Sequence, residues 1–206
     1  MTAAHIRLVV LVLAGLAAGV LTALAVLPQA RERLMPNRHV KVWGQALIGG
    51  PFSLVDHTGK RVTDADFRGR TMLIVFGSTA SPDVTASSLQ VLMAALEKLG
   101  TKAGRAVPIL IAVDPERDTP ERLERFVERF GQRLVGLTGT RAEIDAVLRA
   151  YRVYLSAKRD MPESAAGVAV DSPTLIYVIG PDGRYRGHLS FTAGVDALAR
   201  SLAGML

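Results

Sequence analysis

The stretch "TMLIVFGSTASPDVTASSLQVLMAALEKLG", residues 71–100, decides the fold. Its first seven residues form an uninterrupted apolar run of strand length, and a strand that is apolar on both faces belongs in the middle of a covered sheet. A helix follows. Ser81 caps it, Pro82 suits its first position and Asp83 complements the positive end of its dipole. Leu89, Leu92, Met93, Leu96 and Leu99 then repeat at helical spacing before Gly100 stops the helix. The turn between strand and helix is where many α/β proteins do their chemistry, yet its capable side chains in "FGSTASPDVTASSLQ", residues 76–90, are hydroxyls and one carboxylate.

The same grammar extends in both directions. Upstream, "GGPFSLVDHTGKRVTDADFRG" alternates apolar and polar residues around the turn "DHTG", predicting a hairpin from Pro51 to about Phe67. Downstream, "VPILIAV", residues 107–113, is a second buried strand, and "DTPERLERF" opens a helix with Thr119 as cap and Pro120 at its first position, ending at Gly131. After "LVGLTGT", Thr140 and Glu143 form a capping box before "AEIDAVLRAY". The polar segment "SAKRDMPESAAG", residues 156–167, reads as a loop. "TLIYVIGPDGRYRGHLS" is a hairpin turning at Pro181, Asp182 and Gly183, and a short helix over 195–202 closes the chain. Alternating strands and helices that end in an antiparallel hairpin and a helix describe an α/β thioredoxin-like sandwich with a central mixed sheet. The N-terminal hairpin is an extension of that sandwich, and no internal repeat or second domain competes with it.

Composition narrows the chemistry. The 206 residues contain no cysteine, which excludes disulfides, thiol nucleophiles, zinc–thiolate sites and iron–sulfur clusters. Twenty-five Lys and Arg against 19 Asp and Glu give a net charge of +6. The arginines are spread along the chain and mixed with acids, with no aromatic–basic interleaving, so no nucleic-acid partner is expected. Residues 8–27, "LVVLVLAGLAAGVLTALAVL", carry no charge and are long enough to cross a bilayer core of about 30 Å. They predict one transmembrane anchor after a cytoplasmic N-terminus over 1–7. The alternative is a cleaved signal using "ALA" at residues 23–25. Residues 28–48 form a polar tether and 49–206 the folded domain. Counted simply, the basic residues after the span would leave the domain in the cytoplasm.

"GGPFSLVDHTGKRVTDADFRG", "VDPERDTPERL", "VGLTGT", "AYRVYLS" and "GPDGRY", in that order, resemble the SCO/SenC family. This is a family of membrane-tethered, thioredoxin-fold proteins that handle copper and thiol redox during assembly of the cytochrome c oxidase copper centre. The resemblance runs from about Gly49 to the C-terminal helix. It implies a single-pass protein of the cytoplasmic membrane with its domain facing the periplasm, and this implication is preferred here to the charge count. It further implies copper ligands from a Cys-x-x-x-Cys pair in the strand-to-helix loop and from a His before the late hairpin strand. In this chain those positions hold Ser81, Thr85 and Ser172. Copper(I) selects thiolate, thioether and imidazole, and neutral hydroxyls replace none of them. Neither residue of the pair forms a disulfide.

The expected reading is therefore a divergent, non-catalytic family member with no catalytic, cofactor or metal residue. It would dock to an assembly partner, whether an oxidase subunit or another copper-handling or thioredoxin-fold protein. The alternative is a copper chaperone whose site has moved to Met35, His39 and Met161. Ser81 as a nucleophile lacks a base in its loop and reads as a helix cap, and Thr85 as a rim residue. Asp114, Glu116, Arg117 and Asp118 in "DPERDTP" are read either as a docking loop at a strand's C-terminal end or as an Asp–Arg network that holds the loop. In "SPTLIYV", the Ser172–Pro173 bond is expected to be cis, with Pro173 facing the loop. The four histidines show no ligand spacing.

Overall fold

The structure is a computed structural model that describes residues 48–80, 82–157, 168–170 and 175–206. Nine strands are described: β1 (Ser53–Asp56), β2 (Arg61–Thr63), β3 (Thr71–Gly77), β4 (Ala106–Ala112), β5 (Val135–Thr138), β6 (Leu155–Ala157), β7 (Val168–Val170), β8 (Leu175–Ile179) and β9 (Tyr185–Ser190). The helices are α1 (Pro82–Lys98), α2 (Pro120–Val127), α3 (Arg141–Tyr151) and α4 (Val195–Ala203).

Seven strands form one sheet in the order β2-β1-β5-β4-β3-β8-β9. β3, β4 and β5 run parallel, in register from Thr71↔Ala106 to Gly77↔Ala112 between the first two. β8 pairs antiparallel with β3, and β9 with β8. On the other side the hairpin β1–β2 joins the sheet antiparallel to β5. The mixed α/β architecture expected from the order of elements is the one observed.

Every residue of β3 and β4 is buried. Their alternating side chains feed two cores, as strand geometry requires. Leu73, Val75 and Leu110 pack with Leu89, Leu92 and Leu96 of α1, Leu123 and Phe126 of α2, and Leu198 and Leu202 of α4. Met72, Ile74, Phe76, Ile109 and Ile111 face the opposite way, onto Ile144, Val147, Leu148 and Tyr151 of α3 and onto Phe52, Leu54 and Phe67 of the N-terminal extension.

Helix starts obey local chemistry. Thr119 accepts from the Arg122 amide, and Thr140 and Glu143 complete the reciprocal capping box. Beyond α2, a 3-10 turn over Glu128–Phe130 ends at Gly131, whose φ of 84° lies in the left-handed region glycine tolerates. The segment read as a loop from residue 156 differs: Ser156 and Ala157 lie in β6, which pairs antiparallel with β7 as a two-stranded ribbon. Small residues and a neighbouring charge run hid the strand, because its pairing is supplied by residues 11 or more positions away. Among the described residues no helix is long and apolar enough to cross a membrane, and the segment 8–27 lies outside them.

Thr138 at the end of β5 is buried, and its hydroxyl has no hydrogen-bond partner among the described side-chain atoms. An unsatisfied buried hydroxyl costs on the order of 1–3 kcal/mol, and valine has the same shape without that cost. Thr138→Val should therefore raise the stability of the domain by about 1 kcal/mol, read as a higher urea midpoint with an unchanged slope.

Candidate functional site

Parallel β3 and β4 end side by side, the Val113 amide donating to the Gly77 carbonyl at 2.9 Å. Past these ends run two loops, residues 78–80 on the way to α1 and residues 113–119 leading to α2. This is the carboxyl edge where open α/β sheets place their binding sites.

The two loops are bound together by Asp118. Its residue is 0% exposed, and its carboxylate accepts from the Thr79 amide at 3.1 Å and from the Thr79 hydroxyl. The guanidinium of Arg122, in the first turn of α2, donates through Nε to the same Thr79 oxygen at 3.0 Å, leaving the threonine proton for Asp118. Burial pushes the Asp118 carboxyl above the ordinary aspartate value, against the pull of the Thr79 hydrogen bonds. These contacts staple one loop to the other. Among the described residues no histidine joins them, so the hydroxyl has no imidazole base.

Thr85 is not at the rim. It is 5% exposed, its Oγ1 accepts from the Ser78 amide at 3.2 Å and donates to the Ser78 carbonyl at 3.0 Å, and it sits over Gly77. The hydroxyl closes the turn on itself, and a side chain on the inner face of α1 is out of reach of solvent. Ser81, Ser172 and Pro173 lie outside the described residues, so neither the Ser81 cap nor the expected cis bond is placed.

Three of the four residues singled out in "DPERDTP" form a separate ionic cluster. Asp114 is buried and pairs with Arg117 at 3.8 Å and with Arg141 of α3 at 3.6 Å, while exposed Glu116 meets Arg141 at 3.7 Å. Arg141 also donates to the Val113 carbonyl at 3.1 Å. Asp118 points the other way, to Thr79. Thr79, Arg122 and Arg141 were not singled out in the sequence. The four-residue spacing of Asp118 and Arg122 across a helix start was the available signal, and it becomes informative only once Thr79 is known to lie opposite.

The donors at this loop do not fit copper(I). The one described position among the three expected ligands carries a buried hydroxyl already committed to the backbone, and hydroxyl oxygen is a hard donor. Among the described residues no group of three or more His, Asp or Glu side chains is placed to hold a metal ion.

Two outcomes follow from this geometry. A Cβ built on Gly77 lies 2.7 Å from both Cγ2 and Oγ1 of Thr85, so Gly77→Ala should cost about 2 kcal/mol in chemical denaturation, and Thr85→Ala in the same chain should recover part of it. The second concerns pH. The native carboxyl of Asp118 holds its proton more tightly than the unfolded one, so the stability it contributes is complete below the ordinary aspartate value and is lost as pH rises through the raised native value. Melting temperatures of the wild-type chain and Asp118→Asn, compared from pH 3.5 upward (~0.5 steps), should show the variant gaining on the wild type as pH rises above about 4.

A family model described as SCO1/SenC matches residues 41–206. The mitochondrial SCO1 homolog of Homo sapiens is 41% identical over 170 residues, 81% of this chain, and the chain spans 54% of that relative's length. Copper-bound ScoI of Arabidopsis thaliana superposes with a TM-score of 0.69 at 35% identity, covering 77% of this chain and 97% of that one. Copper-bound ScoI of Bradyrhizobium japonicum gives a TM-score of 0.69 at 36% identity, covering 77% and 99%. With its thioredoxin-like mixed sheet and a family match over most of its length, the chain belongs to the SCO1/SenC family.

Proposed function

We propose that this chain is a membrane-anchored SCO1/SenC protein that acts by docking, as an accessory to cytochrome c oxidase assembly or copper homeostasis, with the family's thiol redox and copper site lost. The observation that carries the reading is Thr85: at a position where the family resemblance expects a thiolate, its hydroxyl is buried and closed onto Ser78. The absence of cysteine from the chain removes thiol exchange altogether, because both partners of such exchange are sulfur. A docking role needs only a well-packed scaffold and a fixed surface. The Asp118–Thr79 staple and the Asp114–Arg141–Glu116 cluster hold two loops of that surface at the sheet's carboxyl edge. In this reading the apolar segment 8–27 is the anchor and the domain faces the periplasm, beside oxidase subunits or other assembly proteins; the length of the uncharged run and the family resemblance support it. No enzymatic step is assigned.

Two measurements test this. Copper(I) titration of the full chain against a chromogenic competitor should show no tight one-to-one complex, whereas Ser81→Cys, Thr85→Cys and Ser172→His together should create one. Tight binding by the unaltered chain that disappears on substitution of Met35, His39 or Met161 would replace this reading with a relocated chaperone site. Co-isolation from membranes under mild detergent should bring oxidase subunits or copper-handling proteins with the wild-type chain, and recovery of neither would sink the docking role.

A further inference from the structure

Away from these loops, α1 and the chain just beyond α2, its 3-10 turn and Arg133, line a groove of about 470 Å³. Its apolar wall is Met93 and Leu96 of α1 with Phe130 of the 3-10 turn, and its cations are Arg129 and Arg133. Each cation is fixed by a neutral group. The Arg129 guanidinium lies 4.6 Å from the Phe126 ring centroid and 5.7 Å from that of Phe130, and Arg133 Nη2 donates to the Ala103 carbonyl at 2.6 Å. Neither is in an ion pair among the described residues. Stacking and a carbonyl hydrogen bond orient a guanidinium without neutralising it, so these two charges are held ready for an anion.

The helix separates its charges to match. Arg129 follows α2 directly, in the 3-10 turn. Glu121 and Glu124 lie on the far side of α2 from its buried Leu123, Phe126 and Val127, and neither they nor Glu128 lines the groove. Glu97 is the one carboxylate on the groove wall.

We infer that this groove receives an acidic segment of a partner protein, one that alternates carboxylates with apolar side chains. Extended chain rises about 3.3 Å per residue, so alternate carboxylates fall about 7 Å apart on one side. They would meet the arginines while the intervening apolar residues cover Met93 and Phe130. The inference deepens the docking reading and rests on it for its purpose, though not for its geometry.

The test uses the purified full chain in detergent and a fluorescein-labelled heptapeptide in which Glu alternates with Leu. The peptide should bind with an affinity that falls as salt rises. Replacing its Glu residues by Gln should weaken it roughly tenfold or more, as should Arg129→Ala with Arg133→Ala in the protein, while Arg149→Ala leaves it unchanged. All three arginines are exposed, so the variants should fold, checked by their melting temperatures. Equal binding by the Gln peptide, or by the doubly substituted chain, would overturn the inference. So would arginine-dependent binding to vesicles of equal parts phosphatidylglycerol and phosphatidylcholine with no binding of the peptide, which would make the occupant a lipid surface. Peptide binding without co-isolated oxidase or copper proteins would retire the pathway and keep the groove; the converse would retire the groove alone.

Discussion

Burial of β3 on both faces is the constraint from which the rest of the molecule follows. A seven-residue strand with no polar side chain pointing to water has to be covered twice, and the parallel partner β4 shares the requirement. α1, α2 and α4 meet it on one side and α3 with the N-terminal extension on the other. Two parallel strands covered in this way end at the same level, so the loops that leave them are neighbours whatever their sequence.

Those loops are polar inside an apolar frame, and the structure deals with them by pairing buried polar groups across the ends of β3 and β4. Thr85 satisfies Ser78, Thr79 and Asp118 satisfy one another, and Arg122 completes the set. Such a network resists change because removing one member strands another in low dielectric. It is suited to holding a shape. It offers a soft metal ion no thiolate, thioether or imidazole among its described members. Membership of the SCO1/SenC family goes with the scaffold, which the two packed cores maintain.

The charges divide along similar lines. Around Asp114 the arginines are paired and serve the fold. In the groove beside α1 they are oriented by rings and a carbonyl and have no ion-pair partner among the described residues. A net positive charge says nothing of this difference, which depends on which carboxylates the fold brings within reach.

The sequence by itself determined the helices, the caps at Thr119 and Thr140 and the central strands with their order, because apolar periodicity and capping act within a few residues: "TMLIVFG", Thr119 with Pro120, and Thr140 with Glu143 all became what they spell. It also determined that no thiol chemistry is available to this chain, a matter of composition. Only the tertiary structure decided that Ser156 and Ala157 are strand, that Thr85 is buried, that Asp118 reaches Thr79, and that Arg129 and Arg133 share a groove with α1. Each of those facts depends on groups brought together across a turn, between strands or from separate elements. Local pattern carries the energy of forming an element, but the partner of a hydroxyl, a carboxylate or a guanidinium is chosen by whatever packing places beside it.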